Sequence, residues 1–373
     1  MKKNYFIGLF VLIIVAVLSF QKAEKSPAYR RDSVIHQTVD DTIHYPEEKH
    51  FKNIRQLTNG GDNAEAYFSF DGKWVIFQRT SREDGINCDR MFIGKVPESA
   101  GEKFEPRQVS SGKGRTTCGF FTRDGKNIIY ASTHLGADTC PPIPDRSKHG
   151  NKYIWPVYDS YDIFLADLDG RIIKRLTDTP GYDAEATLSP DGKTLLFTSM
   201  RDGDLDLYTM DLVSGKTKRI THEPGYDGGA WFSRDGQKIV WRASRPKTQE
   251  AIDEYKNLLK ENLVAPTQME VWTAAADGSN PKQITNLGQA NWAPNFLPDG
   301  RIIFCSNHEY KRGFPFNMYI VNADGTGLEK ISRDKGFDAF PMFSPDGRQI
   351  IFSSNRNNGG THDTNLFIAE WEN

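Results

Sequence analysis

The 373-residue chain has no Walker loop, no G-x-S-x-G elbow and no H-E-x-x-H pair. The common signatures of phosphate binding, acyl transfer and zinc peptidase chemistry are therefore missing. Charge of one sign is lacking too: a formal net charge of −2 gives no electrostatic case for a nucleic acid partner. One long apolar run exists, Tyr5 to Leu18, and it is short for a stable membrane span. Lys2 and Lys3 precede it, Val17-Leu18-Ser19 offers a cleavage motif, and polar sequence starts at Gln21. Residues 1–20 thus read as a secretory signal peptide, or as an N-terminal anchor if left uncleaved, which is the one route to membrane contact. No cysteine follows the run, so a lipid anchor is not indicated. Residues 21–52 are charged and poor in large apolar side chains, and are expected to be a tether.

What the chain does have is repetition. Six Asp-Gly pairs, starting at Asp71, Asp124, Asp191, Asp235, Asp299 and Asp346, each sit in one pattern. Ahead of the pair stands a short aromatic or β-branched strand such as AYFSF, ATLSP or PMFSP; behind it stands an unbroken apolar run such as WVIF, TLLF or QIIF. Runs without alternation want both faces buried, which a sheet sandwiched between two others provides. A third strand follows a variable loop (DIFLAD, DLYTMD, NLFIAE), and a fourth carries an apolar residue plus a hydroxyl, as in Leu176-Thr177 and Ile331-Ser332. Self-similarity at this period means a propeller or a solenoid. Five fourth strands follow a third strand, whereas the sixth, Leu57-Thr58, precedes the first copy, and the chain ends on a third strand. That offset is what ring closure requires. The expectation is all-β: a six-bladed β-propeller over residues 53–373, its N-terminal strand closing the last blade.

Strand alternation puts the Asp-Gly turns on one rim and the long, variable loops on the other, the rim where binding is expected. Blade 2 inserts a Pro- and aromatic-rich stretch after Ser132. Blade 4 inserts RPKTQEAIDEYKNLLKENLVAPTQ, in which Ile252, Tyr255, Leu259 and Leu263 have helical spacing and Thr248 suits the N-cap. Eight positions before each turn Asp lie Asn63, Thr116, Asp183, Asp227, Asn291 and Asp338, all carrying side-chain oxygens, with Glu65 and Glu185 two places further on. Ring symmetry gathers them at the channel mouth. There they would either cap local turns or bind a divalent cation or the amino and amide groups of a peptide. Trp155, Tyr158, Tyr182, Tyr226 and Trp292 offer aromatic contact area on the same rim. Among the cysteines, Cys305 reads as a buried thiol; Cys88, Cys118 and Cys140 should furnish one disulfide, involving Cys118. No other cofactor is expected, and no metal site is assigned.

FSPDGRQIIFSSNR and LSPDGKTLLFTSMRDGDLDLYTMD, with the preceding Leu-Thr strand, resemble the WD-like repeats of TolB-type β-propellers. The resemblance implies a periplasmic or cell-surface protein that binds a protein or peptide of the cell envelope. The expected role is a non-catalytic, monomeric binding or scaffold protein. The competing expectation is a propeller hydrolase or lyase acting on polysaccharide or peptide, its acidic and histidine side chains meeting at the channel mouth.

Overall fold

The computed structural model describes residues 42–373 other than 100, 151 and 312. The expected signal peptide, and the tether up to residue 41, lie outside the described residues.

Six four-stranded antiparallel sheets are present. Their first strands, Asp62–Phe68, Thr116–Phe121, Asp183–Leu188, Asp227–Phe232, Asn291–Phe296 and Asp338–Phe343, each touch the first strands of both neighbours, the last returning to the first. That circle is the ring axis. The second strands are the apolar runs, nearly all buried on both faces, as their lack of alternation demands. The last blade has the order Phe51–Gln56, Asn365–Trp371, Gln349–Ser354, Asp338–Phe343, so the front of the chain supplies its outer strand, with Phe51 opposite Trp371. This strand begins two residues earlier than the expected boundary of 53, and Glu48, placed in the tether by sequence, is buried against the ring.

The paired apolar and hydroxyl residues have a plain physical task. In all six blades the hydroxyl accepts a backbone N–H from the third strand: Thr58 from Leu366, Ser110 from Met91, Thr177 from Ile163, Thr221 from Leu207, Thr285 from Val271 and Ser332 from Met318, at 2.8–3.1 Å. A donor that the short fourth strand leaves over is thereby satisfied inside the protein.

Each first strand also carries a bulge. Its register against the second strand shifts by one residue in every blade. The residue at the shift has a left-handed backbone: Glu65, Cys118, Glu185, Gly229, Ala293 and Phe340, with φ of 49–60°. Five of the six are not glycine, so the ring holds a conformation that costs each of them about 1–2 kcal/mol.

The blade 4 insertion forms a helix, Gln249–Lys260, capped by Thr248, whose hydroxyl accepts the Ala251 N–H. Leu263, expected on the helix, instead lies beyond it in a two-residue strand, Leu263–Val264, paired with Trp155–Pro156 of the blade 2 insertion. The chain leaves the helix at Glu261 and turns at Asn262, which has a positive φ of 57°. The two insertions thus meet as one small sheet. Ile154, Leu258 and Leu263 form its apolar underside, and Lys152 pairs with Glu254 beside them. No helix among the described residues is long and apolar enough to cross a membrane.

Candidate functional site

The strand-start residues expected at the channel mouth are all buried, and all have partners within the chain. Asp183 receives Arg201 at 3.1 and 3.2 Å, Asp227 receives Arg245 at 2.6 Å, and Asp338 receives Arg356 at 3.0 Å through both oxygens. In each pair the arginine stands 18 residues after the aspartate, where the second strand gives way to its loop. Where the strand-start residue is uncharged, histidine or serine holds the matching place, as with Thr116 and His134, Asn291 and His308, and Asn63 and Ser81. Asn291 donates to Met269 O and accepts from Ser306 Oγ, Asn63 donates to Gly60 O and Thr364 O, and Thr116 donates to Asp89 O. The pairing of acid with arginine was available in the sequence as an 18-residue spacing, which Thr116 and His134 and Asn63 and Ser81 share, while Asn291 and His308 stand 17 apart. Asp227 is pushed up to about 6 by burial, with Arg245 working against the shift. Asp206, on Arg219 at 2.6 Å, is pushed up to about 7 by burial in the same way.

Glu65 and Glu185 stand apart from these because the bulge turns them to the axis. Glu185 accepts from Thr198, from the Gly229 N–H, from the Tyr226 hydroxyl and from Arg242, all within 2.6–3.0 Å. The Trp155 ring of the bridging sheet lies over the Arg242 guanidinium at 5.4 Å. Glu65 meets Cys118 Sγ at 3.0 Å and the Tyr67 hydroxyl at 3.3 Å, and burial holds its carboxyl above the ordinary range. One level along the axis, Tyr67 and Trp231, from blades 1 and 4, touch with ring centroids 4.7 Å apart, and Phe120 meets the same indole at 5.3 Å. The axis is filled there. Past it, on the short-turn rim, Arg234 of blade 4 donates to Ser344 O and Pro345 O of blade 6.

Cys118 corrects the disulfide expectation. The bond joins Cys88 to Cys140, with Cα atoms 6.0 Å apart, and ties the blade 2 insertion to the third strand of blade 1. Cys118 lies at a first-strand bulge with its thiol on Glu65, so it is a free cysteine; burial holds that thiol protonated, well above its ordinary range. Cys305 is the other free cysteine and is buried, as its apolar strand implied.

On the loop-rich rim, Tyr182, Tyr226 and Trp292 are buried, while Trp155 and Tyr158 are half-buried. The residues that reach solvent are two the sequence reading passed over, Tyr153 (41% exposed) and Phe314 (64%). They end a connected series of rings. Tyr153 meets Trp155 and Trp292, Trp292 stacks on Phe316 at 4.5 Å, Phe316 meets Phe314 and Phe337, and Phe337 meets Phe340 at the axis. Among the described residues no group of His, Cys, Asp and Glu has the geometry of a metal site. Asp202, Asp204 and Asp206 are engaged by Tyr208, Tyr255 and Arg219. Burial holds His134 and His308 below the ordinary imidazole range, each ring against the hydroxyl of the serine two residues before it.

Fold and sequence comparisons agree on the class: this is a six-bladed β-propeller, and part of the chain is similar to the TolB propeller. Residues 149–275 match the family model of the TolB beta propeller domain. A putative TolB from Agrobacterium tumefaciens has the same fold, with a TM-score of 0.55 at 19% identity over 86% of this chain and 97% of that one. The Tol-Pal system protein TolB of Bordetella pertussis is 49% identical over 43 residues, 11% of this chain and 10% of that protein. An uncharacterized protein of Agrobacterium fabrum is 28% identical over 205 residues, 52% of this chain and 46% of its own length. The chain therefore spans between a tenth and about half of the curated relatives it matches.

Proposed function

We propose that this chain is an exported, non-catalytic binding protein of the bacterial cell envelope that docks a protein or peptide on its loop-rich rim. The observation that carries this reading is the connected aromatic surface from Tyr153 to Phe340, open to solvent at Tyr153 and Phe314. Rigid rings with little conformational freedom to lose are the side chains that dominate protein interfaces. The strand-start carboxylates are taken up by arginines at the loops of blades 3, 4 and 6, whereas the rings stand on blades 2 and 5 and at the entry to blade 6. Glu65 and Glu185 are the contacts proposed for any partner group that reaches the axis. The hydrolase reading gains little from the same axis, where Glu65 is taken up by the Cys118 thiol and the Tyr67 hydroxyl and burial raises both the carboxyl and the thiol.

A photo-crosslinking residue placed at Phe314 in cells producing the full chain should yield an adduct of defined mass. The same residue at Val213, 88% exposed on the opposite rim, should yield none. Equal adducts at both positions, or none at 314, would remove the proposal.

A further inference from the structure

Residues 42–50 lie against blades 5 and 6 ahead of the closing strand, and their attachment is built from charge. Arg356 is fully buried and donates to both oxygens of Glu48 at 2.9 and 3.0 Å, to both oxygens of Asp338 at 3.0 Å, and to Ile43 O at 2.9 Å. A third carboxylate, Asp334, closes the cluster: it accepts the Tyr45 hydroxyl at 2.7 Å, and its own N–H donates to Asp338 at 3.3 Å. The Tyr45 ring lies under the guanidinium at 5.4 Å. From blade 5, the Arg333 N–H donates to Glu48, while the Arg333 side chain turns away to Lys330 O; Lys335 is solvent-exposed. Of the two nearby histidines, His44 meets the Glu48 carbonyl, and His50 sits apart on Glu329 and Glu372 O. Two buried carboxylates therefore bond one buried cation, and a third, Asp334, stands against Asp338 within reach of its charge. The related pairs in blades 3 and 4, Asp183 with Arg201 and Asp227 with Arg245, have no such additions.

We propose that residues 42–50 are a proton-dependent strap, seated in mildly acidic medium and loosened as the medium turns alkaline, because two carboxylates bond a single guanidinium and a third carboxylate stands beside them. With two protons in the cluster the charges balance, and each proton lost leaves one more negative charge trapped away from water, where it is costly. The direction agrees with the individual groups: burial, reinforced by the Asp338 charge, holds both Glu48 and Asp334 above their ordinary values. A carboxyl raised in the folded state contributes stability that is complete below its unfolded value, about 4, and is lost as pH rises through the folded one.

The test is hydrogen exchange of residues 42–50 on the full chain between pH 5 and 8, corrected for intrinsic rates, with strand Thr194–Ser199 of blade 3 as the internal reference. Relative to that reference, wild-type protection of the strap should fall by about tenfold or more. Glu48→Gln, which keeps the shape and removes the charge, should give a flat profile. Asp334→Asn should flatten it as well, and it carries the test if Glu48→Gln fails to fold. Parallel profiles in wild type and variant, or protection that rises with pH, would overturn the proposal.

Discussion

Arg245 and the Trp241 indole both donate to one oxygen of Asp227, at 2.6 Å each, with the carboxylate wholly buried. An aspartate placed this way is worth more by its absence than by its presence. Removing it leaves a cation and an indole N–H without their acceptor, whereas the intact pair merely offsets its own desolvation. Asp227→Ala should therefore destabilise the protein by about 3–5 kcal/mol, read as a lowered urea midpoint. Asn291 and Asn63 do the same task with amides, and there an alanine costs the lesser amount of an unmade neutral hydrogen bond. At this scale the sequence was half legible. The strand-start position and its polar character stand out from the repeat, but whether such an oxygen faces the axis or the blade depends on the bulge two residues later. A bulge leaves no mark in composition when five of its six residues are not glycine. The same uncertainty misplaced Cys118: its neighbour is Glu65 on the adjacent blade 1, and Cys88 and Cys140 find each other instead.

Among the elements, the bridge between the two insertions was the hardest to foresee. Helical spacing located Gln249–Lys260 and its Thr248 cap because those signals lie within a dozen residues of each other. Leu263 fits the same spacing, yet it pairs with Pro156, and no local pattern records a partner on another blade. Burial of Leu263 with Ile154 and Leu258 outweighs continuation of a helix that has already met its cap at Glu261. The disulfide fixes the other root of this bridge by holding Cys140 to Cys88 across a separation of 52 residues. Replacing both cysteines by serine should lower stability by about 2–4 kcal/mol. Wild type with reductant should match the variant in the same denaturation experiment, while the variant itself should not respond to reductant.

For the molecule as a whole, the ring was plain in the sequence because each blade repeats four short signals. The most visible of them, the hydroxyl at the end of each fourth strand, has the same hydrogen bond in all six blades. The aromatic surface was not plain, since which rings stay exposed depends on how loops from blades 2, 4, 5 and 6 crowd together. Closure is the property most open to challenge by deletion. A chain lacking residues 51–59 would leave Asn365–Trp371 as an unpaired edge. It should unfold at a lower temperature and sediment as aggregates where the intact chain remains a single species.

Phe51–Gln56 is synthesised long before Asn365–Trp371, the only strand it pairs with. The earliest piece of the wheel off the ribosome is consequently the last to be fitted, and until then its backbone groups have only water for company. Whatever escorts the nascent polypeptide must keep that one segment from strangers for the whole duration of translation.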